Sequence, residues 1–305
     1  MSVAEPVVLS TPRKGAKPPS HWRAEFALAS ICLVWGATFV VVKQALGDIS
    51  TLLFLGLRFS LATLVLLAIF LFRRGIGNAF RRGPVLGGVL AGTCLFAGYF
   101  LQTEGLKYTT PGKCGFITGL YIVLVPLLSS LIERRGPGRF EWLGVALAMS
   151  GMALMAIDGK SLRMNTGDVL TAGCAVMYAV HILVLGRFSR TMSVERLTLL
   201  QLGTCAVLGL AASPLFEQVY FRQTRSAWTA IAITSLLATA LAFTIQTWGQ
   251  KYTTPTRTAI IFSLEPVFAL ATSYVVGAES LSVRSVSGAV CILTGILAVE
   301  LKPKK

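Results

Sequence analysis

Two charged side chains, Arg58 and Glu265, stand inside otherwise apolar stretches of this sequence, with one histidine, His181, and two glutamines, Gln102 and Gln246, in similar settings. An ionised carboxylate in the middle of an apolar helix costs about 2.5–3.5 kcal/mol to insert into a bilayer. Glu265 must therefore face protein or a wet cavity. There it could exchange a proton, hold a substrate amine, or satisfy backbone that the adjacent Pro266 releases. Arg58 could hold a substrate carboxylate, pair with Glu104, or snorkel to the surface. Glu104 and Lys107 are three residues apart and are expected to pair with each other at a helix end. His181 could titrate near neutrality or sit neutral in a hydrogen bond. Gln102 and Gln246 need partners in apolar surroundings, from another helix or from a ligand. Trp35, Tyr99, Tyr121 and Tyr178 offer an amphipathic aromatic wall, whereas Trp248 suits an interfacial belt.

These residues form no catalytic set. The chain has two histidines, His21 and His181, and neither closely spaced acids nor a nucleophile beside a base. It has no phosphate-binding P-loop. The expected chemistry is binding and passage of a small molecule rather than covalent change, with no cofactor and no metal. The six cysteines, Cys32, Cys94, Cys114, Cys174, Cys205 and Cys291, show no Cys-x-x-Cys spacing and read as small apolar packing residues.

The elements that must position these groups follow from composition. Of 305 residues, 54% are hydrophobic and only 13% charged, about half the charge of an ordinary soluble domain. A membrane span needs roughly 20 apolar residues, and ten such stretches occur, at 24–43, 51–72, 84–107, 111–132, 140–157, 169–187, 197–216, 228–250, 255–276 and 283–301. The fold expected is an all-α integral membrane protein of ten transmembrane helices. Residues 1–22 and 302–305 read as tails. The net charge of +15 is spread unevenly: with the N-terminus inside the cell, 19 of the 28 Lys and Arg residues fall on the cytoplasmic side. The positive-inside rule then places both termini there. The 73–82 and 134–139 loops weigh most. The basic excess is thus a topology signal in contact with the lipid bilayer, and no nucleic-acid partner is expected.

A duplication organises the whole chain. QTEGLKYTTP at 102–111 recurs as QTWGQKYTTP at 246–255, eight identities in ten at an offset of 144. Ser50 pairs with Ser193, Arg58 with Gln201 and Trp35 with Tyr178 at offset 143; Gly144 pairs with Gly288 and Gly151 with Gly295 at 144. The halves are 23–157 and 169–301, joined by a polar linker at 158–168. Five spans is an odd number, so the halves cross the bilayer in opposite directions. Such two inverted five-helix repeats are a hallmark of secondary transporters. In each motif copy, Pro at the first helical turn is free of penalty and Thr110 or Thr254 can cap the helix. The glycines seven apart give the fifth and tenth spans a close-packing face, within the chain or in a homodimer.

Several tracts resemble a known family. AIIFSLEPVFAL (259–270) and GAESLSVRSVSGAVCILTGIL (277–297), with WGATFVVVK (35–43), GFITGLYIVLVP (115–126) and YAVHILVLGRF (178–188), look like the EamA domain of the drug/metabolite transporter superfamily. The resemblance covers about 24–301. It implies ten spans in inverted five-span repeats around a central cavity, lined mainly by the first, third, fourth, sixth, eighth and ninth. It also implies a role such as export of amino acids, related metabolites or toxic compounds across a bacterial inner membrane. The residues expected in that cavity are Trp35, Tyr99, Gln102, Tyr121, Tyr178, His181, Gln246 and Glu265, with Arg58 as a substrate or structural charge. The halves differ at Tyr121 and Glu265, so the ionisable group is not duplicated.

Overall fold

The computed structural model describes residues 21–74, 85–133, 136–156, 164–275 and 281–300. The N-terminal tail up to residue 20, Arg81 and Arg82, Arg134 and Arg135, residues 158–163 of the linker and the last five residues lie outside them. The described residues are helical almost throughout. In order come α1 (His21–Ala45), α2 (Thr51–Arg74), α3 (Leu86–Leu106), α4 (Pro111–Thr118), α5 (Tyr121–Glu133), α6 (Arg139–Ala156), α7 (Thr166–Phe188), α8 (Val194–Phe216) and α9 (Arg225–Ser235). A π-helical segment, Leu236–Leu241, follows, and then α10 (Ala242–Gln250), α11 (Pro255–Phe262), α12 (Leu264–Val275) and α13 (Val283–Glu300). Among the described residues β pairing is limited to one bridge, Ile49 with Phe221.

Among the described residues, seven helical stretches are long and apolar enough to cross a membrane. The expected spans at 140–157, 255–276 and 283–301 correspond to α6, to α11 with α12, and to α13. The outward faces are apolar: Phe72, Phe216 and Val275 are 93%, 79% and 82% exposed. Contiguous exposed apolar surface on this scale marks contact with lipid. The protein is an integral membrane protein.

Several helices begin earlier than the apolar runs because their caps are polar. Asn165 and Asp168 form a capping box at the start of α7, which satisfies two otherwise orphaned amides. Ser193 caps α8 and Thr224 caps α9 by a single bond each, accepting from the Arg196 and Ala227 amides. The duplicated motif adopts the same local structure twice. Thr110 accepts from the Lys113 amide with Pro111 at the first turn, and Thr254 accepts from the Arg257 amide with Pro255 there.

Two stretches expected as single spans are drawn tight partway along. Between α4 and α5, the Leu120 amide donates to Ile117 O and the Ile122 amide to Gly119 O. Between α11 and α12, the Ser263 amide donates to Ile260 O. These i to i−3 bonds tighten one turn. Tyr121 and Glu265 thereby fall in the first turn of the following helix, and Pro266 sits where a missing amide costs little.

A close helix crossing joins the last helices of the two halves. A Cβ on Gly151 would lie 2.4 Å from Gly288 O, and one on Gly144 would lie 3.0 Å from Gly295 O. Backbone therefore rests on backbone. The glycine faces of α6 and α13 are occupied by each other within the chain.

Candidate functional site

One cavity gathers all nine residues singled out above. Trp35, Arg58, Tyr99, Gln102, Tyr121, Tyr178, His181, Gln246 and Glu265 line it, with Thr38, Thr118, Phe243 and Phe262 among others. Its walls enclose about 760 Å³ of empty space, counting the part open to the outside. Lining residues come from α1, α3, the α4–α5 pair, α7, α10 and the α11–α12 pair, with Arg58 added from α2.

Arg58 is only 3% exposed. Its Nε donates to Thr239 Oγ1 at 2.7 Å, and its Nη2 donates to the Tyr99 hydroxyl at 3.2 Å and to Ala238 O at 3.4 Å. The guanidinium also lies over the Tyr99 ring, 4.6 Å from its centroid. Among the described residues no carboxylate pairs with it. Glu104, one of the partners expected, pairs instead with Lys107 at 2.8 Å and accepts from Thr51 Oγ1 at 3.0 Å. Arg58 is thus neither snorkelling nor ion-paired; it is held by neutral oxygens at a cavity wall. The start of α2 that carries it is anchored by Glu217, whose carboxylate accepts from the Leu52 and Leu53 amides at 2.9 Å each. A carboxylate at a helix N-terminus is favoured by the aligned peptide dipoles.

The π segment supplies much of this clamp. Ala238 O accepts from Arg58 and also from Trp35 Nε1 at 3.0 Å. Thr239 comes from the same turn. Such one-turn irregularities recur at functional sites because they re-aim backbone oxygens. The aromatic wall is continuous: Trp35 meets Phe262 edge-on at 5.1 Å, Tyr99 meets Tyr178 at 5.6 Å, and Phe243 packs near Trp35, Tyr99 and His181.

The amides behave differently from each other. Gln102 joins three helices, accepting from the Tyr178 hydroxyl at 3.2 Å and donating to Thr118 Oγ1 at 3.1 Å. Gln246 donates to Gln250 Oε1 on its own helix at 3.4 Å, and its buried Oε1 has no hydrogen-bond partner. An unsatisfied buried acceptor costs roughly 1–3 kcal/mol, so a ligand donor there would be welcome. His181 shares a hydrogen bond of 3.0 Å with Gln201 Oε1, and Gln201 donates to Thr247 Oγ1. Glu265 is half-buried at the cavity wall. Trp248 lies away from this cavity and stacks edge-on with Tyr252 at 5.5 Å.

Phe243, Thr38, Thr118 and Phe262 were not among the expected site residues. The repeat offset could have found two of them: 143 relates Thr38 to His181 and 144 relates Phe243 to Tyr99, whereas 144 relates Thr118 and Phe262 only to each other. Ala238 and Thr239 carried no such signal.

Helices apolar on the outside around a cavity lined by buried polar groups define a membrane protein built to handle a small solute. Comparison with known proteins narrows this. The model of the EamA-like transporter family matches residues 22–157 and again 165–301. The chain belongs to the EamA-like transporter family. It is 34% identical to an uncharacterized transporter of Archaeoglobus fulgidus, over 94% of this chain and 89% of that one. It is 26% identical to the uncharacterized transporter YyaM of Bacillus subtilis, over 92% and 94%. Against the uncharacterized inner membrane transporter YedA of Escherichia coli K12 it is 22% identical, over 84% and 83%. A crystal structure of a protein 21% identical superposes with a TM-score of 0.80, covering 92% of this chain and 99% of that one. That likeness concerns the fold alone.

Proposed function

We propose that this membrane transporter is a secondary carrier that exports small polar metabolites such as amino acids by alternating access around the central cavity. In this reading residues 23–157 and 169–301 are two oppositely oriented five-span halves, joined by 158–168. Ten helices cross the bacterial inner membrane, and the tails at 1–22 and 302–305 lie in the cytoplasm. The duplicated family match and the offsets of 143 and 144 support the two halves. So do the glycine contacts, since Gly144 against Gly295 becomes Gly288 against Gly151 when the halves are exchanged, the reciprocity of a two-fold relation.

The observation that carries the reading is the cavity itself. Arg58 has no carboxylate partner among the described residues, Gln246 has a buried oxygen without a donor, and Glu265 faces the same space. A substrate with an anionic group for Arg58 and donor groups for Gln246 and Glu265 would satisfy all three. The aromatic walls would accept several side chains while the polar groups fix orientation. That same wall, Trp35 with Phe262, Tyr99, Tyr178 and Phe243, also favours a second reading, broad-specificity efflux of drugs or toxic compounds.

Counterflow in proteoliposomes against amino acids, nucleobases, sugars and cationic drugs separates the two. Saturable exchange of amino acids, lost in Arg58→Gln, supports the first. Exchange of cations indifferent to Arg58→Gln supports the second. No saturable exchange of any class overturns both. Glu265→Gln tests proton coupling in the same assay: a pH-dependence of transport unchanged by the substitution removes Glu265 from that role.

A further inference from the structure

Outside the cavity, two ion pairs are related to each other by the repeat. Near the start of α4, Lys113 Nζ pairs with Asp168 Oδ2, and Asp168 Oδ1 accepts from Thr109 Oγ1 at 2.9 Å. Near the start of α11, Arg257 Nη1 pairs with Glu25 Oε1 at 2.8 Å, and the same oxygen accepts from Thr253 Oγ1 at 3.2 Å. The offset of 144 carries Thr109 onto Thr253 and Lys113 onto Arg257, and 143 carries Glu25 onto Asp168. Every member has its counterpart, with Lys exchanged for Arg and Asp for Glu. Arg257 and Glu25 come from different halves; Lys113 comes from the first half, and Asp168 ends the linker, in the first turn of α7 and within the second family match. Both acids are buried, Asp168 at 0% and Glu25 at 6% exposure.

The helix α1 sets how far apart the pairs lie. Glu25 is in its second turn. Near its other end, Lys43 donates to Thr109 O at 3.0 Å, against the first pair. Those 18 residues of helix span about 27 Å, close to the roughly 30 Å of a hydrocarbon core. Trp35 and Thr38, midway along the same helix, line the cavity. One ion pair therefore lies toward each end of the helix that lines the site.

A buried ion pair adds little net stability over apolar packing, yet losing one partner is severe. That combination suits a contact that is either fully made or fully hydrated. We propose that the Lys113–Asp168 and Arg257–Glu25 pairs are two latches, one at each membrane face, and that opening the cavity to one side breaks one latch while the other stays shut. This rests on the alternating-access reading above.

The test uses the full chain in lipid nanodiscs, with its cysteines replaced and spin labels at two repeat-related pairs of exposed positions, 107 with 166 and 23 with 251. Neutralising both members of a latch avoids an orphaned buried charge, and Asp168→Asn keeps an oxygen for the capping box. Lys113→Gln with Asp168→Asn is expected to shift the populations at 107–166 toward the longer distance by about tenfold, within the usual range for coupled sites, and to leave 23–251 closed. Glu25→Gln with Arg257→Gln is expected to do the reverse. Equal shifts at both ends from either variant, or none, overturn the latches. The wild type keeps this distinct from the carrier reading: two anticorrelated distances that ignore the variants sink the latches alone, whereas one fixed distance at each end, with no counterflow of any solute, sinks alternating access as well.

Discussion

The ends of the molecule and its middle treat the duplication in opposite ways. At the ends the two copies keep similar chemistry: Thr110 and Thr254 cap their helices alike, and each ion pair sets a base against a buried acid that also accepts from a threonine. In the middle the counterparts diverge. Arg58 stands opposite Gln201, Thr38 opposite His181, Thr118 opposite Phe262 and Tyr121 opposite Glu265. Even the backbone differs, since α3 is regular over the stretch whose counterpart holds the π segment. A carrier of the kind proposed above, closing equally well at two faces, needs equal ends. A site that holds one molecule in one orientation needs unequal walls, and a faithful copy of Arg58 would bury a second unpaired cation.

Making the middle symmetrical is expected to be the most damaging change. Gln201→Arg buries a charge at a position 0% exposed beside His181, a penalty of several kcal/mol, and should abolish recovery of folded protein, read by size-exclusion chromatography in detergent. Next come single removals at the ends. Lys113→Met and Arg257→Met each remove a cation that faces a buried acid, and each should lower stability by up to about 3–5 kcal/mol. Thermal unfolding should rank them together; a clear difference between them would break the equivalence of the ends. Thr239→Val removes the shortest of the hydrogen bonds that Arg58 donates, worth about 1.5–3 kcal/mol for a charged donor. It should raise the KM of counterflow more than it lowers the melting temperature. Smallest are the caps: Thr110→Ala and Thr254→Ala should each cost about 1 kcal/mol, by matching amounts, in the same unfolding assay.

Much of the site was legible because polarity inside an apolar run is conspicuous. Arg58, Gln102, His181, Gln246 and Glu265 stood out for that reason, and the structure brings all of them to one cavity with Trp35, Tyr99, Tyr121 and Tyr178. The π segment was not legible. Hydropathy over 228–250 is the same whether a turn closes at i+4 or i+5, so Ala238 and Thr239 had no mark. The tight turns at Gly119–Leu120 and Ser263 were hidden likewise, because their residues are as apolar or small as the helix around them. Glu25 and Asp168 escaped notice because they lie where spans fade into polar flanks, and an acid at a helix start has an ordinary local explanation. Asp168 does serve its own helix; its second allegiance, to Lys113, appears only in three dimensions.

The glycine crossing of α6 and α13 has a mechanical consequence. The contacts of Gly144 with Gly295 and of Gly151 with Gly288 exchange places when the halves are interchanged. They therefore straddle the axis of that exchange. When two bodies tilt against each other, material on the axis travels least and material at the rims travels most. In the alternating-access reading proposed above this crossing would be the fulcrum: glycine backbone meets glycine backbone there, with Val299, Ile292 and Met155 packed beside it, and bulk added there would jam the tilt without touching either the cavity or its ends.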